Sequence, residues 1–128
     1  MTSSQDENQD PQGFHYLISS KGPVVIVTFV GELKNNSTPT LATCQGEVLA
    51  LDTAKYFILY MRDVPNISGD VITAFTQFQK SIRAKGPLRL SSVNPVLRDK
   101  LTKMGIIRNA EVVDNLRVAL KGLLDDHG

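Results

Sequence analysis

Tryptophan is absent from this 128-residue chain, cysteine occurs once and histidine twice. The single cysteine, Cys44, cannot close an internal disulfide, which fits a reducing compartment. His15 and His127 stand far apart, and no further ligands at metal-binding spacing accompany them, so neither a metal nor a cofactor is expected. No apolar run approaches the ~20 residues of a membrane span, which argues against direct membrane insertion. The N-terminus lacks the basic start and apolar core of a secretory signal, and a cytoplasmic location is the default expectation. Charge is balanced, with 14 Lys and Arg against 13 Asp and Glu and a formal net charge of +1. Without a basic excess, nucleic acid is not an expected partner. Catalytic signatures are missing too. Gly69 stands alone between Ser68 and Asp70 rather than in a glycine-rich phosphate loop, and no GxSxG elbow occurs. No nucleophile, base and pocket are named together, so the expectation is a protein that is not an enzyme.

What is present is ordinary globular material, 41% hydrophobic and 21% charged, enough to bury a core. Residues 1–12 (MTSSQDENQDPQ) contain no apolar side chain after Met1 and read as a disordered tail. Residues 13–124 read as a single domain, and 125–128 as a frayed C-terminus.

Along the chain, Phe14 to Ser20 alternates as a strand. Ser20-Lys21-Gly22-Pro23 signals a turn, and Val24 to Leu33 is a β-branched, apolar strand, so the two form a hairpin. Ser37 or Thr38 with Pro39 opens a first helix, whose buried stripe is Leu41, Cys44, Val48 and Leu51. Cys44 falls on that stripe as a structural thiol. Tyr56 to Met61 (YFILYM) is a strand covered on both faces. The turn Arg62 to Asp70 follows, and Val71, Phe75, Phe78 and Ile82 then recur at helical spacing. Gly86-Pro87 stops that helix. Leu88 to Val93 is a further strand, and Asn94-Pro95 caps a third helix with Leu97, Leu101 and Met104 on one face, ended by Gly105. Glu111 to Val113 suggests a short edge strand, and Leu116, Ala119 or Leu120, and Leu123 a last helix. Strands alternating with helices after a hairpin predict an α/β fold, a mixed, mostly parallel sheet of four or five strands with helices packed on it.

The order of elements resembles a STAS domain, the fold of bacterial anti-sigma-factor antagonists, over roughly residues 14–124. The resemblance is carried by Val30-Gly31-Glu32-Leu33, where Lys34 replaces the family's usual Asp, and by Ile58-Leu59-Tyr60-Met61 before the signature loop. Gly86, the strand from Leu88 to Val93, Asn94-Pro95 and the helix from Leu97 to Gly105 complete it. The family's loop reads apolar–Asp–Ser–Ser–Gly–Leu, and an anti-sigma-factor kinase phosphorylates its first Ser. A gapless alignment sets Ile67 on the apolar residue, Ser68 on the Asp, Gly69 on the phosphoacceptor, Asp70 on the second Ser and Val71 on the Gly. Pairing the glycines instead sets Asn66 on the Asp and Ile67 on the acceptor. The register of Ile67, Ile72 and Phe75 favours the gapless form, and neither places a hydroxyl at the acceptor.

These readings converge on a regulatory, signalling protein that binds other proteins. Its expected partner surface is Asp63, Asn66, Ile67, Ser68, Gly69 and Asp70, where a helix start offers free N–H donors and an acidic side chain. Ser68 is the candidate phosphosite, with a helix-capping role as the plainer reading of its hydroxyl. By resemblance, the partner would be an anti-sigma-factor kinase or a stressosome-like scaffold. An alternative is a small-molecule sensor or small enzyme at the same sheet edge, using Arg62, Asp63 and Asp70. A third is the STAS subunit of a lipid-transport complex.

Overall fold

The computed structural model describes residues 13–127, so the readings made for residues 1–12 and for Gly128 lie outside the described residues. Five strands form one sheet in the order β1-β2-β3-β4-β5. The hairpin comes first: β1 (His15–Lys21) runs antiparallel to β2 (Val24–Val30), with Lys21 opposite Val24. The connecting Gly22-Pro23 pair turns tightly because Gly22 takes φ +60°, which glycine adopts without a Cβ penalty. From β2 onward every pairing is parallel, through β3 (Tyr56–Asp63), β4 (Leu88–Ser91) and β5 (Val112–Val113). Parallel neighbours need crossovers. These are α1 (Thr38–Leu49), α2 (Ile72–Lys85) and α3 (Pro95–Lys103), with α4 (Leu116–His127) after the last strand.

Alternation along the strands sorts their side chains into two cores. Val25, Val27 and Phe29 of β2 join Phe57, Leu59 and Met61 of β3 and Leu88 and Leu90 of β4 on one face. There they meet Leu41, Cys44 and Val48 of α1, Phe75, Phe78 and Ile82 of α2, and Leu97 and Leu101 of α3. Phe29 is central to it, in edge contact with Phe14 at 4.8 Å between centroids and tilted on Phe78 at 5.5 Å. On the opposite face Val24 and Ile58 are covered by Ala119 and Leu123 of α4. Both β2 and β3 lie inside the sheet, and β3 is its middle strand, as expected of runs too apolar for an edge.

Several local expectations are corrected: β4 ends at Ser91 rather than Val93, and Leu51 lies past the end of α1. β2 stops at Val30 rather than Leu33, because Gly31 turns to φ +99° and its hydrogens face the Gly13 carbonyl where a Cβ would collide. Met104 was expected on the buried stripe of α3, but it is 51% exposed and sits one residue past the helix, after which Gly105 at φ +71° ends the element. At the start of α1, Ser37 caps nothing ahead of it. Its Oγ accepts instead from the Lys34 N–H at 3.0 Å. α4 continues through His127.

One polar cluster went unread in the sequence. Arg83 of α2 donates from Nε and Nη2 to the Glu111 carboxylate at 2.7–3.1 Å and from Nη2 to Gln79 Oε1 at 3.0 Å. Gln79, fully buried, gives its own Nε2 hydrogen to the Ile106 carbonyl at 3.2 Å. This fork-on-fork pair ties the α3–β5 connection back to α2.

Candidate functional site

The carboxyl edge of the sheet is where β2 and β3 release their connections, and the two are zipped together there. The Leu33 N–H donates to the Asn66 carbonyl at 3.1 Å, and the Ser68 N–H to the Leu33 carbonyl at 2.9 Å. Leu33 and Ile67 thus form a small parallel bridge, and both are completely buried. Val64, 1% exposed, anchors the start of the loop, and its N–H returns to the Met61 carbonyl at 3.1 Å. Two apolar side chains inside a polar stretch therefore hold the 64–70 segment on the core.

From the other side α3 reaches across. Asn94 uses its Oδ1 to cap α3, accepting from the Leu97 N–H at 2.8 Å, while its Nδ2 donates to the carbonyls of Val64 and Pro65 at 3.2 and 3.3 Å. Lys100 Nζ donates to the Ile67 carbonyl at 3.0 Å and to Asn66 Oδ1 at 3.3 Å. Asn66 Nδ2 in turn donates to Glu32 Oε2 at 3.4 Å, and Glu32 pairs weakly with Lys34 at 3.8 Å. Asn66 is the node where a residue after β2, the loop and α3 meet. Asn94 was legible as a cap, but its second job was not, and Glu32 and Lys100 carried no local signal at all, being more than thirty residues from Asn66 in sequence on either side.

The expected surface residues separate accordingly. Asn66, Ser68, Gly69 and Asp70 lie together on this edge, with Gly69 and Asp70 exposed. Ile67 does not belong to the surface: its side chain is buried, and a partner would meet only its backbone. Asp63 is exposed one strand-end away. Its carboxylate pairs with its neighbour Arg62 at 3.4 Å, while its carbonyl accepts from the Gly31 N–H at 2.9 Å. Arg62 lies over the Tyr60 ring at 5.7 Å, and the bond to Asp63 raises its guanidinium pKa further, so it stays a cation.

Ser68 precedes a 3-10 turn, Gly69–Val71, that leads into α2. Its hydroxyl does not cap that turn, contrary to expectation. It is out of solvent reach and bonded to no protein group. Asp70, in the first turn, is bonded to nothing among the described residues, and its charge suits the positive end of α2. A Cβ on Gly69 would meet open space, and its backbone is not in the left-handed region, so nothing in the fold requires glycine there. Among the described residues, no three His, Cys, Asp or Glu side chains gather closely enough to hold a metal ion, and no helix is long and apolar enough to cross a membrane.

The comparisons agree with this architecture. No curated protein matches the chain. Among solved structures, an anti-sigma factor antagonist from Mycobacterium paratuberculosis superposes with a TM-score of 0.76 at 17% identity, covering 90% of this chain and 97% of that one. RsbS from Moorella thermoacetica gives 0.71 at 14% identity, with coverage of 86% and 95%. A sulfate transporter family protein from Wolinella succinogenes gives 0.70 at 29% identity, with coverage of 84% and 92%. The STAS domain model matches residues 16–119, nearly the whole described chain, and the protein belongs to the STAS domain family.

Proposed function

We propose that this STAS domain is a non-catalytic recognition module, binding a protein partner through the Asn66–Asp70 loop and the start of α2, and that phosphate at the usual loop position does not switch it. The observation that carries this reading is the fixed loop: Asn66 and Ile67 are held by Glu32, Leu33 and Lys100, while Gly69 and Asp70 are left facing outward. A rigid edge presenting an acidic side chain and a bare glycine backbone suits docking of another surface. The cavity described below is lined by none of Arg62, Asp63 and Asp70, which gives no support to a small-molecule site or small enzyme using those three. A partner of the kind bound by anti-sigma-factor antagonists, in a cytoplasmic signalling role, is the reading favoured by the likeness to the antagonist fold, which spans 90% of this chain and 97% of that one.

The absence of a switch rests on two positions. Gly69 has no hydroxyl, and the Ser68 hydroxyl is covered, so a kinase would have to open the loop to reach it. The 29% identity to the sulfate transporter family protein supports a second reading, in which the partner is a transport protein rather than a signalling kinase.

Capture of partners from the native cell, with wild-type and Asp70→Lys protein side by side, tests the surface. Asp70 is exposed, so the variant should fold normally, and the expected outcome is loss of the captured protein. An unchanged complex would take Asp70 out of the interface. Mapping of phosphosites on the same material tests the switch, with substantial phosphate on Ser68 as the result that would overturn it.

A further inference from the structure

A second site follows from the way the last two helices leave the sheet. α3, after β4, packs Leu97 and Leu101 into the larger core, whereas α4, after β5, packs Ala119 and Leu123 on the opposite face. Neighbouring strands whose following helices depart to opposite faces leave a crevice at their carboxyl ends, the place where open α/β sheets bind ligands. A cavity of about 410 Å³ lies there, within the size range of small-molecule sites. One wall is α3, with Arg98 and Asp99, and the other is the end of β5, with Val113 and Asp114. Val93 and Pro95 add apolar lining.

The walls carry charges of both signs in unequal states of readiness. Arg98, half-buried, is oriented by a bond from Nη2 to Asn109 Oδ1 at 3.1 Å, and its other N–H groups have no partner among the described residues. Asp99 is engaged by Lys103 at 3.0 Å. The Asp114 carboxylate is bonded to nothing among the described residues. Between the walls the chain is held in an unusual form. Ser92, next to Val93, takes φ 62°, which is costly for a residue with a Cβ. It is kept there by bonds from its N–H to the Val113 carbonyl at 3.3 Å and from its Oγ to the Asp114 carbonyl at 3.4 Å.

We infer that this crevice binds a small zwitterion of the α-amino-acid type, its carboxylate on Arg98, its ammonium on Asp114 and a short aliphatic side chain against Val93, Pro95 and Val113. A simple anion would meet two carboxylates, and a simple cation would meet the guanidinium. Only a ligand bearing both charges satisfies both walls. The site is separate from the loop surface and does not depend on the partner reading.

The test is a titration of the ¹⁵N-labelled chain with L-alanine, L-valine and L-leucine in turn at millimolar concentration, followed by amide chemical shifts. N-acetyl-L-valine and L-valinamide serve as probes with one charge removed. The expected result is saturable movement of the Ser92, Val93, Arg98 and Asp114 amides with at least one amino acid, and binding weaker by roughly tenfold or more for both blocked probes. Arg98→Gln and Asp114→Asn, both at the surface, should each abolish the movement while the rest of the spectrum stays in place. No saturable movement with any of the three amino acids, equal binding of either blocked probe, or full binding by both variants would each overturn the assignment.

Discussion

At the scale of single residues, burial decides what each group can do. Cys44 is fully enclosed between α1 and the sheet, and desolvation, aided by the Glu47 charge, pushes its thiol up to about 12 from an ordinary 9.0. A raised folded-state value means that the folded form holds its proton more tightly. The stabilisation is complete below the unfolded value and lost as pH climbs through the window from about 9 to 12. Chemical denaturation across that window should show stability falling more steeply for the wild type than for Cys44→Ala, and alkylating reagents should leave the native thiol untouched at neutral pH. The position of Cys44 on an apolar helical stripe was enough to read this role. Ser68 was not readable in the same way. A serine before a helix looks like a cap, and only the folded structure reveals that its hydroxyl is out of solvent reach and caps nothing.

Elements were legible wherever their signal was local. Periodicity marked all four helices, and β-branched runs marked β2 and β3, because spacing and side-chain shape act within a few residues. Boundaries slipped where a distant group intervened, as at Gly31, whose turn is fixed by the approach of Gly13. The polar ties were invisible because their partners are remote in sequence. Asn94 shows the difference between its two roles. As a helix cap, its loss costs about 1 kcal/mol. Because its Nδ2 also holds the carbonyls of Val64 and Pro65, Asn94→Ala should cost about 2 kcal/mol in all and should speed hydrogen exchange in the loop, at Ser68 above all. Unchanged exchange there would mean that Lys100 and the Leu33–Ile67 bridge hold the loop without it. The core sets the larger scale: Phe75 is completely enclosed, and Phe75→Ala should cost about 3–5 kcal/mol in a denaturant melt.

For the whole molecule, the fold was readable as an ordered series of elements, and the sheet order follows that series strand by strand. The candidate loop was also found from sequence, since a buried strand feeding a polar turn and a helix places that turn at the carboxyl edge. The crevice between α3 and the end of β5 was not found, because it depends on which face each helix takes, and no local pattern encodes that. The zipped loop has a kinetic consequence. A segment already fixed by backbone bonds and a lysine clamp loses little chain entropy when a partner arrives. Association should then behave as rigid docking, with a rate constant of about 10⁵–10⁷ M⁻¹s⁻¹ and a heat-capacity change set by the contact area alone, free of the additional burial that accompanies folding on binding. Stopped-flow mixing and calorimetry at several temperatures would measure both, and Asn94→Ala, by loosening the loop, should slow the first and enlarge the second.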